Sequence, residues 1–173
     1  MQRCRVDQFA QLSQALGQQR EHVLAAVEGL DDAQLTTSLV RSNWSPADVV
    51  SHLTFHVERF WFRDVMSGQD VARDDDPTDA WVVAPGDGLA VIERYREECA
   101  LADEAIAAHA PGDKPAAWPD FFGSWRLANL YEIMLHVVTE TAQHAGHLDI
   151  VREMIDGTQY MVIHERMSTS VDG

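Results

Sequence analysis

Leu127-Ala-Asn-Leu-Tyr-Glu-Ile-Met-Leu-His136-Val-Val-Thr-Glu140-Thr-Ala-Gln-His144-Ala-Gly-His147-Leu-Asp-Ile-Val151-Arg-Glu-Met-Ile155 is the stretch that decides the fold. Ile133, Val137, Leu148, Val151 and Ile155 recur at helical spacing, and Gly157 closes the pattern. Projection at about 100° per residue places Glu140 and His144 within that stripe. An i, i+4 pair lies on one helix face, about 6 Å apart along the axis. A carboxylate and an imidazole so placed hold a divalent ion if a third ligand arrives from a facing helix. A glutamate turned toward a core is otherwise costly, unless it is paired or protonated.

Working outward, His52 in Ser51-His52-Leu53-Thr54-Phe55-His56 is the expected third ligand. It borders the apolar stripe Val49, Leu53, Val57 and Phe60 of a helix announced by Trp44-Ser45-Pro46-Ala47-Asp48. There Ser45 is the expected N-cap, Pro46 the first helical residue and Asp48 the partner that closes a capping box. The set His52, Glu140 and His144 ranks first because two imidazoles and one carboxylate leave positions open for water or substrate. His56 can replace or supplement His52, and His136 and His147 edge the same face as Glu140 and His144. Direct pairing of His52 with Glu140 in a metal-free bundle is the plain alternative.

Two further helices are expected over about residues 7–28 and 88–110, beside those over about 46–66 and 127–155. No segment reads as a strand, so the class is all-α, a four-helix bundle. A single domain is expected, its core at about 6–157 and a tail over 158–173. The acidic run Gly68-Gln-Asp-Val-Ala-Arg-Asp-Asp-Asp-Pro-Thr-Asp79 is expected as a solvated connection, because it lacks the spacing, glycine and distal glutamate of a calcium-binding EF-hand loop. Trp118-Pro-Asp-Phe-Phe-Gly-Ser-Trp125, with Phe55 and Trp61, is expected either to line a cavity or to pack in the core. Cys4 and Cys99 match no paired spacing and are expected as passive reduced thiols. A formal charge of −15 argues against nucleic acid and anionic membrane partners. No apolar run is long enough to span a bilayer, and the first residues lack a signal-peptide pattern, so a cytoplasmic location is expected.

Three stretches resemble the first half of a DinB/YfiT-like protein: Gly29-Leu-Asp-Asp-Ala-Gln-Leu35, Trp44-Ser-Pro-Ala-Asp-Val-Val-Ser-His52-Leu53 and Val57-Glu-Arg-Phe-Trp-Phe62. Leu135-His-Val-Val-Thr-Glu140-Thr-Ala-Gln-His144-Ala-Gly-His147-Leu-Asp-Ile-Val-Arg-Glu153 resembles the second half, in the mycothiol-transferase-like branch. The likeness covers about residues 6–157 and implies an up-down bundle, a homodimer and a metal on His52, Glu140 and His144. Glu140 stands where many members of the superfamily have a histidine. The implied activity couples mycothiol, or a similar low-molecular-weight thiol, to an electrophilic small molecule. Zinc is the first expectation, with nickel, iron and manganese open. Tyr131-Glu132 departs from the Arg-Trp expected in this branch, which bears on substrate choice. Water activation by the same metal and a non-enzymatic metal- or ligand-binding role are the rival readings. No catalytic residue beyond the metal set is assigned.

Overall fold

In the computed structural model, residues 8–69 and 82–160 are described. Most of the acidic run, the tail beyond Tyr160 and Cys4 lie outside them. Every regular element among the described residues is helical: α1 (Gln8–Val27), α2 (Asp32–Thr36), α3 (Pro46–His52), α4 (Gly88–Ala107) and α5 (Leu130–Asp156), with a short 3₁₀ turn at Asp120–Phe122. α3 continues without a break into a π-helix, Leu53–Met66. The expected all-α class is the one adopted.

Local chemistry fixes the helix ends. Ser45 and Asp48 form the capping box at the start of α3, with Pro46 in the first turn. Asn129 caps α5 by accepting the Glu132 N–H, so α5 begins three residues later than the apolar pattern alone suggests. Its other end turns on Gly157, at φ 77°, where a side chain would be strained. α2 was not expected. It is short, and Asp31 with Gln34 closes a second capping box around it.

The expectation of one uniform α-helix over about 46–66 is corrected. From Leu53 onward the backbone takes i→i+5 winding, and the Ser67 hydroxyl continues that step by donating to the Phe62 carbonyl, at 2.9 Å. This segment is nearly encircled: Leu53, Phe55, Val57, Trp61, Phe62 and Met66 are all buried. It packs chiefly on α4, while α1 packs on α5. The core between them includes Leu16, Val23, Tyr95, Ile133, Val137 and Leu148.

Two aspartates secure the approaches to the bundle. Asp48 accepts the N–H groups of Ser45 and Val83, both at 2.7 Å, and so ties α3 to the chain entering α4. Asp32 accepts those of Gly86 and Gly88 and fixes α2 against the start of α4. A Cβ at Gly88 would stand 2.9 Å from the Leu35 Cβ and 3.0 Å from an Asp32 carboxylate oxygen. Gly88→Ala is therefore expected to cost about 1–3 kcal/mol, read as a lower urea midpoint at unchanged slope.

An ion network lies inside the bundle. The Arg20 guanidinium donates twice to Glu58, at 2.8 and 2.7 Å, and once to Asp103 at 2.6 Å. Glu98 accepts from Arg59 and Arg63. Cys99 sits nearby with its thiol pushed well up by burial and by Glu58, which fits the passive role expected for it.

Candidate metal centre

α3 and α5 bring His52, Glu140 and His144 together. One donor atom from each lies within 4.8 Å of the others, and all three residues are half-buried. The ring centroids of His52 and His144 are 4.7 Å apart. Donors around one tetrahedral zinc ion at about 2.0–2.2 Å stand about 3.3–3.6 Å from each other, so the set fits such an ion after a closing movement of up to about 1.5 Å.

Hydrogen bonding between Glu140 and His144 does not account for their pairing. His144 Nε2 stands 3.8 Å from Glu140 Oε2, beyond hydrogen-bond range, and the buried Nδ1 of His144 has no hydrogen-bond partner. Glu140 and His144 are thus not closed on each other by a hydrogen bond.

The expectation that Glu140 points into the core is corrected. The fully inward positions of that turn are Thr141 and Ala145, both 0% exposed, whereas the Glu140 side chain is 32% exposed. Glu140 and His144 sit one residue round the helix from the buried line, at its rim. This lowers the cost of an ionised glutamate and leaves the site open to solvent.

The other histidines surround the triad in distinct ways. His56 stacks on His52, with centroids 5.6 Å apart, and His147 meets His144 edge-on at 5.5 Å. His136 lies one turn before Glu140 among aromatics, 4.8 Å from Trp61 and 5.7 Å from Trp125. Trp61 also packs against Trp118 and Phe122, so this group forms an aromatic wall next to the triad. Phe55 is not part of it. It is buried elsewhere, beneath the Arg59 guanidinium. Tyr131-Glu132 serves the start of α5: Glu132 accepts the Ala128 N–H, and the Tyr131 N–H donates to the Pro111 carbonyl.

Trp44 is a residue of the site to which the sequence assigns no role there, beyond a helix signal and a place in one stretch of the family resemblance. Its ring lies 5.4 Å from that of His52 and is stacked 5.8 Å from that of His144. It also lines a cavity of about 400 Å³ bounded by Val40, Val49, His147, Ile150 and Val151. Nothing in the residue pattern marks this, because the loop before α3 sets it, with Asn43 at φ 63°.

Burial, with His144 and His56 as neighbours, lowers the His52 pKa to about 4. His144 is also lowered by burial, Glu140 opposing and His147 adding to the shift. Unfolded histidine binds a proton near pH 6.5, whereas His52 in the fold does so only near pH 4. Between those values the unfolded chain holds more protons, so stability present above pH 6.5 is lost as pH falls toward 4. With metal chelated, the denaturation midpoint is expected to fall from pH 7 to pH 5, and to fall less in His52→Gln. Equal declines in the two proteins would contradict the assignment.

An all-α fold carrying two imidazoles and a carboxylate at the rim of α3 and α5 defines a DinB/YfiT-like protein with a candidate metal centre. The chain belongs to the mycothiol-S-transferase family, whose model matches residues 11–157. No curated protein and no solved structure gives a significant match. No helix among the described residues is long and apolar enough to cross a membrane.

Proposed function

We propose that this chain is a metal-dependent S-transferase that couples mycothiol, or a similar low-molecular-weight thiol, to an electrophilic small molecule. The observation that carries the reading is the convergence of His52, Glu140 and His144 within 4.8 Å in a chain of the mycothiol-S-transferase family. These three residues would hold one divalent ion, with zinc the first expectation and nickel, iron and manganese open. A divalent ion bound there supplies Lewis acidity that favours a thiolate over a thiol.

The chain's own residues do the rest. Trp44 packs against both imidazoles and restricts their rotation, so the donors are held ready. The lowered His52 pKa keeps that ring neutral, the form a ligand requires, through the neutral pH range. Two of Glu140's neighbours, His136 and His144, are lowered by burial and stay neutral there too. In the reaction the thiol S–H bond breaks and an S–C bond forms. The leaving group departs with the bonding pair, and the proton passes to solvent.

Turnover of an electrophile with mycothiol present and absent tests the proposal. Thiol-dependent conjugation supports it, whereas equal turnover without thiol would point to water activation. The family expectation of a homodimer is kept as part of the reading. Light scattering should return twice the chain mass of 19.4 kDa, and a mass of one chain would remove it.

A further inference from the structure

We propose that the cavity beside His144 is the electrophile's binding site, and that it takes uncharged, apolar electrophiles in preference to anionic ones. The proposal rests on the transferase reading above and names the substrate class of that site. The cavity adjoins the triad directly, since His144 belongs to both and Trp44 packs on His52 and His144 while lining the cavity. Its volume, about 400 Å³, lies within the range of small-molecule sites.

The wall determines what fits. Val40, Trp44, Val49, Ile150 and Val151 give it an apolar surface, and its polar side chains are Ser42, His144 and His147. No Lys or Arg among the described residues lines it. Arg41 stands between two lining residues but is exposed and outside the wall. Arg152, which follows Val151, is held by the Ala26 and Glu28 carbonyls and by Asp156. A carboxylate lying against this wall, away from the ion that the triad would hold, would lose water without gaining a Lys or Arg partner, and the formal charge of −15 would repel it on approach. The same wall is a poor host for a hydroxyl-rich thiol such as mycothiol, whose groups would go unpaired. It suits the apolar body of the second substrate.

Two unreactive probes test this on the full chain with metal chelated, so that the anion meets the wall alone, and with no thiol added: 2,4-dinitrotoluene and its anionic counterpart 2,4-dinitrobenzoate. Calorimetry or saturation-transfer NMR is expected to show the neutral probe binding at least about tenfold more tightly, a difference of about 1.4 kcal/mol. Ile150 is 59% exposed at the cavity, so Ile150→Arg is expected to fold and to close or reverse that preference by supplying a cation. Equal or tighter binding of the anion by the parent, no binding of either probe, or a preference untouched by Ile150→Arg would overturn the proposal.

A separate reaction arm uses 1-chloro-2,4-dinitrobenzene with mycothiol. There the C–Cl bond breaks as the S–C bond forms, chloride leaves with the electron pair, and the thiol proton goes to solvent. Conjugation together with failed probe selectivity defeats the cavity proposal alone. Selective probe binding, with no thiol supporting conjugation of any neutral electrophile, defeats the transferase reading and with it the naming of the bound molecule as an electrophile.

Discussion

Arg20→Met is expected to destabilise the fold by about 3–5 kcal/mol, the usual cost of stranding one half of a buried ion pair. Both Glu58 oxygens are bound by Arg20, at 2.8 and 2.7 Å, and Glu58 is 0% exposed. Removing the guanidinium leaves a carboxylate with neither water nor a cation, so it must take up a proton or admit solvent. Arg20→Met/Glu58→Leu is expected to recover most of the loss, because replacing both charges with apolar groups of similar size removes the desolvation cost as well as the attraction. Asp103, 64% exposed, should matter far less, with Asp103→Asn costing no more than about 1 kcal/mol. Urea denaturation of the three variants measures this directly. A cost below about 1 kcal/mol for Arg20→Met would mean that Glu58 finds another partner or water.

His52→Ala, Glu140→Ala and His144→Ala are each expected to lower bound metal from about one equivalent to near zero, and thiol transfer with it. The loss in affinity should exceed the roughly 10–100-fold that follows removal of a group merely hydrogen-bonded to a ligand. All three side chains are half-buried at the rim, so the variants are expected to remain folded. His147→Ala is the control: His147 is exposed and is not one of the three converging donors, so metal content should hold. Metal retained in Glu140→Ala, or lost in His147→Ala, would reassign the ligand set.

What could be read from the sequence was local or periodic. The Ser45–Asp48 box needs only four consecutive residues, and the i, i+4 relation of Glu140 to His144 is fixed by helix geometry. His52 was placed by the stripe it borders, and the structure brings it beside that pair. The phase of α5 was less legible. Thr141 and Ala145 are weakly apolar, so the stripe drawn through Val137 and Leu148 passed over the residues that truly face inward. The π-winding of Leu53–Met66 is marked by no residue pattern in the sequence, and most of the segment that takes it is buried. Arg20 was legible in retrospect, since it falls in helical register with the buried Leu16, Val23 and Val27. Its partners, 38 and 83 residues away, were not. The cavity beside Trp44 likewise depends on a loop whose path only the tertiary structure sets.

The most direct test loads the full chain with Co²⁺ and titrates it with mycothiol while following thiolate-to-cobalt charge-transfer absorption. The account predicts that this absorption grows to saturation at about one equivalent of cobalt per chain in the parent and is absent in His144→Ala. Cobalt uptake with no spectral response to thiol, or no uptake at all, would contradict it.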